Sequence, residues 1–239
     1  MDNERFPVVI LTGRPASGKS ELIDYLKKTE PSERLTRFHV GAFEEIDDFP
    51  FVWETFEIDD ILSRHQRPRL WTDEKYWFTD PFIWNLYIER INLEYRKKIA
   101  RDPDYHQRTT AIVEFARGGE SGIAEALGYL HEDILGRAVL IYINVPYEIS
   151  FARNRRRARK GMEDSILYHS LPDEKMEYYY STNDWKRLAS ADARFLDVKG
   201  FKVPYAVFEN EPEKTHDPRL TGEELEKTTT KLFTLRQRG

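Results

Sequence analysis

The sequence has no cysteine in 239 residues, and this absence excludes several kinds of chemistry. Disulfide bonds, thiolate metal sites and thiol nucleophiles all require cysteine. The chain also lacks any apolar run near the ~20 residues that a membrane-spanning helix needs. Its first residues, Met-Asp-Asn-Glu-Arg, do not show the charged and apolar pattern of a signal peptide. We therefore expect a cytoplasmic protein without a membrane partner.

Positive charge is not in excess either, because 37 Lys and Arg residues stand against 42 Asp and Glu residues, giving a net charge of −5. This balance argues against nucleic acid as a partner, although it leaves room for a local basic patch. The composition, 40% hydrophobic and 33% charged, is typical of a globular protein. The length suffices for one sizeable core, and we expect a single domain over residues 1–239.

The most informative motif is a phosphate-binding loop, G-x-x-x-x-G-K-S, near the start of the chain. Its members are Gly13, Arg14, Pro15, Ala16, Ser17, Gly18, Lys19 and Ser20. In such a loop the backbone N–H groups cradle nucleotide phosphates, the lysine reaches the β- and γ-phosphates, and the serine hydroxyl binds Mg²⁺. All eight residues are therefore candidate nucleotide-binding residues. Lys19 is also a candidate catalytic residue, and Ser20 is the candidate metal ligand.

The residues on either side of this loop supply the context that the motif requires. Residues 7–11, Pro-Val-Val-Ile-Leu, form an apolar run typical of a buried parallel strand. Leu22, Ile23 and Leu26 follow at helical spacing and predict a helix over about 18–29. The N-terminus of that helix favours an anion, because its unpaired N–H groups and its dipole both attract negative charge.

Further strands and helices alternate along the chain. We predict strands at 36–41, 110–115, 138–145 and 204–208, with a hairpin over 194–203 that turns at Lys199-Gly200. Helices are predicted at about 81–100 and 121–135, from Pro146, near 172–181 and 183–193, and after a cap at 221–224. This alternation predicts an α/β fold with a parallel sheet between two helical layers, with ligands bound beyond the carboxyl ends of the strands.

A basic run follows the fourth predicted strand, with five arginines and one lysine between Arg153 and Lys160. We interpret residues 150–192 as a helical lid. Arg153, Arg156 and Arg157 are the candidate catalytic arginines, because guanidinium groups are always charged and bind phosphate in a bidentate manner. A solvated helix surface and an RNA-binding patch are the alternative interpretations of the same run.

Polar residues at the ends of other predicted strands are further candidates. Glu114 lies at the end of the third predicted strand, where it could take a proton from an acceptor hydroxyl or orient a Mg²⁺-bound water, or else form a structural ion pair with Arg117 or Lys19. Arg117 is a candidate for contact with substrate or phosphate. Asp47 could accept hydrogen bonds from substrate hydroxyls, although such residues are more often solvated or cap a helix. Asn210 follows the last strand, where a loop could contact a purine base.

A long segment at about 42–108 separates the second and third predicted strands. It holds four of the five tryptophans, which are Trp53, Trp71, Trp77 and Trp84. Aromatic residues at this density usually form a core, and the alternative is that some of the rings line a pocket for a planar substrate. We interpret the segment as an insertion on the acceptor side of the site.

These pieces together resemble the P-loop small-molecule kinases, the group of nucleoside and nucleotide kinases and their relatives. The resemblance covers Gly13–Ser20, the run Glu114-Phe115-Ala116-Arg117 and the arginine-rich lid. It implies a P-loop NTPase fold with a five-stranded parallel sheet in the order 2-3-1-4-5. It also implies ATP and Mg²⁺ as cofactors and transfer of the γ-phosphate to a small acceptor such as a nucleoside, nucleotide or sugar.

The sequence departs from that group at two positions. Ala16 stands where nucleotide kinases commonly have glycine, and Glu114 is the nearest substitute for the usual aspartate at the end of an apolar strand. A nucleotide-binding regulatory ATPase or GTPase and an RNA-end kinase are therefore kept as alternatives. The sequence does not distinguish ATP from GTP and does not identify the acceptor.

Overall fold

The computed structural model describes residues 4–157 and 171–237 and contains one six-stranded sheet. The strands are β1 (Val8–Gly13), β2 (Ala42–Asp47), β3 (Thr109–Phe115), β4 (Ala138–Asn144), β5 (Phe195–Val198) and β6 (Phe201–Glu209). They lie in the order β2-β3-β1-β4-β6-β5. All neighbouring pairs are parallel except β5 and β6.

This strand order confirms the predicted α/β fold of a P-loop NTPase, with one additional strand. β6 occupies the fifth parallel position of the expected order 2-3-1-4-5. The additional strand β5 pairs with β6 in the predicted hairpin, and Lys199 and Gly200 form its turn with positive φ angles of 54° and 87°.

Helices cover both faces of the sheet, as the sequence predicted. Their bounds are α1 (Lys19–Lys28), α2 (Pro31–Phe38), α3 (Phe49–Arg64), α4 (Ile83–Arg101), α5 (Tyr105–Arg108), α6 (Gly122–Tyr129), α7 (Glu132–Leu135), α8 (Tyr147–Arg157), α9 (Asp173–Tyr180), α10 (Trp185–Ala189) and α11 (Pro218–Arg236). Successive strand residues point to opposite faces. Val9 and Leu11 therefore pack with α1 and α11, whereas Val8 and Ile10 pack with α4 and α6. The result is a three-layer sandwich with two apolar cores.

The prediction of a strand at residues 36–41 was wrong. Pro31 stands at the start of α2, where its fixed φ angle suits a first helical turn, and α2 ends at His39 with a positive φ angle of 56°. The second strand is β2, which pairs only with β3 and carries Glu44, Glu45 and Asp47. Since β2 occupies residues that we assigned to the aromatic insertion, the segment between β2 and β3 begins after Asp47.

Two helix predictions also need correction. The helix expected at 121–135 is divided into α6 and α7, because Leu130 and His131 adopt extended backbone angles. The last helix begins at Pro218 rather than at 221–224. Its cap is Asp217, whose side chain accepts hydrogen bonds from the N–H groups of the next turn. No helix within the described ranges is long and apolar enough to cross a membrane.

Gly118 provides a test of the packing between the loop after β3 and the end of α9. A Cβ atom at this position would clash with the carbonyl oxygen of Tyr179 and would lie 2.9 Å from the Cα atom of Tyr180. Because both neighbours are backbone atoms, Gly118→Ala should lower the free energy of unfolding by about 1–3 kcal/mol.

Gly128 is the matched control, because a Cβ atom there would meet nothing within 4 Å. Since this glycine lies in α6, Gly128→Ala should be neutral or should stabilise the protein by up to about 1 kcal/mol. Urea unfolding of both variants measures the difference. Equal stability of the two variants would contradict the close packing at Gly118.

Candidate active site

The phosphate-binding loop connects β1 to α1 at the carboxyl end of the sheet. Ala16 and Gly18 have positive φ angles of 53° and 112°, which turn the chain around the loop. At Gly13 a Cβ atom would lie 2.8 Å from the carbonyl oxygen of Ile143. Glycine is therefore required at Gly13 for close packing against β4 and is favoured at Gly18 by its backbone conformation.

Asn210 lies behind this loop rather than beside a ligand. Its side chain donates a hydrogen bond to the carbonyl oxygen of Ser17 at 2.7 Å and accepts one from the N–H of Lys214 at 2.7 Å. The residue is fully buried. The structure thus gives Asn210 a supporting role, instead of the contact with a base that we expected from its position in the sequence.

Lys19 and Glu114 meet where the loop faces the end of β3. The Nζ atom of Lys19 lies 3.8 Å from a carboxylate oxygen of Glu114 and donates a hydrogen bond to the carbonyl oxygen of Arg14 at 3.3 Å. Both side chains are largely buried. The structural ion pair that we weighed for Glu114 is therefore present. A chemical role for Glu114 is compatible with this ion pair, because Lys19 and Glu114 line the same cavity as Ser20.

Asp47 lies next to Glu114, because the two residues are register partners of β2 and β3. Burial, with repulsion from Glu114 and Asp48, raises the pKa of Asp47 to about 8. Burial also raises the pKa of Glu114 to about 7, although the nearby ammonium of Lys19 opposes the shift. Two carboxyl groups with raised pKa values at one site are typical of positions where a proton is held or transferred.

Arg117 follows β3 and is held by several contacts within the protein. Its guanidinium forms a buried salt bridge with Asp48 and donates a hydrogen bond to the carbonyl oxygen of Trp84 at 2.8 Å. It also stacks over the Trp84 ring, with 5.0 Å between Cζ and the ring centroid. Arg117 therefore lines the cavity as predicted, but its contacts within the protein already satisfy most of its donors.

The three candidate arginines of the lid occupy different environments. Only Arg157 lines the cavity, where it pairs with Glu21 of α1. Arg156 is mostly exposed and lies 3.4 Å from Glu213. Arg153 is buried and donates a hydrogen bond to the carbonyl oxygen of Asn210 at 2.8 Å. Arg153 thus anchors α8 to the segment after β6 and does not face the cavity.

Part of the predicted lid, including Arg159 and Lys160, lies outside the described residues. Within the described part, α8, α9 and α10 agree with the helices that we predicted. The proposed extent of the lid and of the acceptor-side insertion stays a prediction.

One cavity of about 650 Å³ extends from the phosphate-binding loop into the aromatic segment. At the loop it is lined by Pro15, Ala16, Lys19 and Ser20, and Glu114 and Asp47 mark the middle. Its far part, which we call the acceptor chamber, is lined by Asp48, Phe49, Val52, Trp53, Phe56, Glu57, Asp60, Tyr76, Phe78, Trp84, Arg117, Lys175 and Tyr179. Some of the aromatic residues therefore line a pocket, which is the less common of the two interpretations we considered.

Two features of this chamber were not foreseen. Asp59 lies beneath it and accepts hydrogen bonds from the backbone N–H groups of Leu70 and Thr72, both at 2.7 Å. Lys175 of α9 donates hydrogen bonds to the carbonyl oxygens of Lys75 and Tyr76, both at 2.7 Å. Lys175 joins segments about 100 residues apart, and neither residue has a sequence motif that could have identified its contacts.

The loop residues fit a bound triphosphate, because Lys19 and Ser20 line the cavity at the N-terminus of α1. Among the residues that the structure describes, no group of three or more His, Asp and Glu side chains is arranged to hold a metal ion. A Mg²⁺ ion in this fold would need phosphate oxygens and water beside the hydroxyl of Ser20, which is the usual coordination of Mg²⁺ by nucleotide-binding proteins.

Comparison with known proteins gives structural neighbours only. No protein-family model and no curated protein matches the chain. Shikimate kinase from Acinetobacter baumannii, solved in complex with shikimate, matches 79% of this chain and 78% of its own at 13% identity and a TM-score of 0.37. A sugar kinase from a Janibacter species matches 96% of this chain and 98% of its own at 15% identity and a TM-score of 0.38.

Because both TM-scores are low, the fold assignment depends on the strand order and on the loop between β1 and α1. These two features give the chain the fold of a P-loop NTPase, and no particular member is indicated.

The raised pKa of Asp47 leads to a stability prediction. The folded state holds this carboxyl protonated up to about pH 8, so its stability falls as the pH rises from the unfolded pKa of 3.8 towards 8. Asp47→Asn removes the ionisation and keeps an acceptor for the N–H of Phe49. We expect the variant to exceed wild type by on the order of 1–3 kcal/mol in unfolding free energy at about pH 8, and by less at about pH 4.5.

Urea unfolding at the two pH values measures this difference. Asp24→Asn is the control, because Asp24 forms an exposed ion pair with Lys28 on α1. It should change the unfolding free energy by no more than about 1 kcal/mol at either pH. A destabilised Asp47→Asn variant at the higher pH would show that the carboxylate is stabilising in its ionised form.

Proposed function

We propose that the protein is an ATP-dependent phosphotransferase that transfers the γ-phosphate to a hydroxyl group of a small acceptor. The observation that carries this proposal is the continuity of the cavity. Lys19 and Ser20 line one part of it, the acceptor chamber forms the other, and Glu114 lies between them. Phosphoryl transfer needs this arrangement, because donor and acceptor must lie in line on the two sides of the transferred group.

The residues at the loop have distinct roles in this proposal. The backbone N–H groups of Gly13–Ser20 bind the phosphates, and the ammonium of Lys19 offsets their negative charge. The hydroxyl of Ser20 would hold Mg²⁺, which supplies further neutralisation of phosphate charge when bound. Arg157 is the described lid arginine that lines the cavity and so could reach the phosphates.

Glu114 is the proposed proton acceptor. A general base is most effective when its pKa is near the working pH, and burial raises the pKa of Glu114 to about 7. Asp47 is its neighbour in the sheet, and repulsion between the two groups favours one shared proton at neutral pH. The ionised form of Glu114 would take the proton of the acceptor hydroxyl as its oxygen bonds to phosphorus, while the bond from phosphorus to the oxygen of the β-phosphate breaks and ADP leaves.

The two alternatives are less well supported. A regulatory ATPase or GTPase needs only water as the acceptor and has no use for an aromatic chamber beside the phosphates. An RNA-end kinase needs free positive charge for the RNA backbone. The described arginines of the basic run instead form ion pairs, namely Arg153 with Glu211 and Glu213, Arg155 with Asp173, Arg156 with Glu213 and Arg157 with Glu21.

A screen of ATP consumption with nucleosides, nucleotides, sugars and small alcohols tests the proposal. At least one acceptor should increase ADP formation well above the rate of hydrolysis alone. Lys19→Ala should reduce this acceptor-dependent rate by at least about 100-fold, because it removes a charge from the transition state. Lys27→Ala is the control, since Lys27 is exposed on the same helix. Hydrolysis that no acceptor stimulates would instead favour the ATPase alternative.

A comparison of two neighbouring arginines tests the lid. Arg157→Ala should lower kcat by about 10-fold or more with little change in ATP affinity, because a lid arginine acts mainly on charge that develops during transfer. Arg156→Ala should leave kcat within about 2-fold, since Arg156 points away from the cavity and forms only an exposed ion pair. Steady-state kinetics with a saturating acceptor measure both variants. An equal loss of kcat in the two variants would contradict a specific role for Arg157.

A further inference from the structure

We propose that the acceptor is a nucleoside, that is, an uncharged compound with a flat ring and free hydroxyl groups, and not a nucleotide or another phosphorylated compound. This inference builds on the proposed function and concerns the acceptor chamber of the same cavity. It depends on three observations: the aromatic walls, the cations that are already engaged within the protein, and the carboxylates that remain.

The walls of the chamber offer the faces and edges of aromatic rings. The ring centroids of Phe49 and Trp53 lie 6.1 Å apart in a stacked arrangement. Phe78 stacks on Phe56 at 5.7 Å and meets Trp84 edge to face at 5.0 Å. Aromatic walls of this kind bind a flat ring by stacking and burial of apolar surface. A simple sugar would leave most of this surface unused.

The cations of the chamber are already engaged within the protein. Arg117 pairs with Asp48 and binds the carbonyl oxygens of Ala116 and Trp84 through its two terminal nitrogens, and its buried Nε atom has no hydrogen-bond partner among the described residues. Lys175 donates two of its three N–H groups to backbone carbonyl oxygens, and burial lowers its pKa. A phosphorylated acceptor would need an arginine or lysine free to pair with its phosphate. Within the described part of the chamber, Arg117 has three of its five N–H groups engaged and its charge balanced by Asp48, and Lys175 keeps one N–H. Neither therefore offers a phosphate the strong pairing of a free arginine or lysine. Lys19 and Arg157 lie at the other part of the cavity.

The remaining charged groups of the chamber are carboxylates. Asp60 accepts hydrogen bonds from the hydroxyl of Tyr76 and from the guanidinium of Arg69, both at 2.9 Å, so Arg69 balances its charge. Glu57 stands one helical turn earlier on α3. Asp47 adds a carboxyl group towards the loop, and its raised pKa keeps it protonated at neutral pH. These groups can form hydrogen bonds with ring amino groups and with hydroxyl groups, and the carboxylate of Glu57 repels a phosphate. The chamber therefore suits a neutral nucleoside better than its monophosphate.

Calorimetric titration of the full chain, with a non-hydrolysable ATP analogue bound, tests the inference. The ligands are the common ribonucleosides and deoxyribonucleosides, their 5′-monophosphates, and free ribose. At least one nucleoside should bind at least about 10-fold more tightly than its monophosphate, because the monophosphate brings negative charge to carboxylates. Ribose should bind more weakly than that nucleoside. A preference for a monophosphate, or no binding of any nucleoside, would overturn the inference.

Trp53→Ala identifies the wall that holds the ring. It should raise the Kd of the nucleoside by about 5- to 150-fold, the usual range for loss of one stacked aromatic side chain, without changing the Kd of the ATP analogue. Tyr76→Leu should act in the same direction and serves if Trp53→Ala does not fold. Trp71→Ala is the matched control, because Trp71 is exposed and does not line the cavity. Unchanged nucleoside affinity in both chamber variants would place the ring elsewhere and overturn the inference.

The same panel separates this inference from the proposed function. Nucleoside binding without any phosphate transfer would support the inference and contradict the phosphotransferase. Transfer to a nucleotide or a sugar phosphate would support the phosphotransferase and overturn the inference. Formation of ADP with a nucleoside, together with a phosphorylated nucleoside product, would support both.

Discussion

The arrangement of the site depends on the pairing of Lys19 with Glu114. A buried carboxylate and a buried ammonium are each costly, and their proximity offsets part of that cost. The loop fixes the lysine, because Gly13 allows it to approach β4 and Asn210 supports it from behind. The carboxylate is fixed by β3. The geometry of the sheet therefore places an ammonium and a carboxyl group side by side at the loop.

A second ion pair fixes the other side of the cavity. Asp48 begins the segment after β2, and Arg117 follows β3, so their salt bridge joins the ends of two neighbouring strands. Through Trp84 the same arginine also reaches α4. The contacts of Arg117 thus fix the positions of α3 and α4 relative to the sheet. The aromatic side chains of these helices pack together and form the walls of the cavity.

Much of the fold followed from local signals in the sequence. β1, β3 and β4 are continuous apolar runs, and the loop has a motif that requires a strand before it and a helix after it. The position of β2 was predicted wrongly. This strand lies at the edge of the sheet and half of its residues carry carboxylates, so it lacks the apolar run that marks a buried strand. Arg153 and Asn210 were assigned to ligands for their charge or position. Their actual partners lie far along the chain, and such pairings become visible only when the chain is folded.

Lys175 joins two parts of the molecule that the sequence places about a hundred residues apart. Its ammonium binds the carbonyl oxygens of Lys75 and Tyr76, so that α9 and the wall of the acceptor chamber are connected by two hydrogen bonds in a buried setting. An outward displacement of α9 must break both bonds or carry residues 75 and 76 with it. The cavity therefore cannot open on this side without a change in the chamber wall itself.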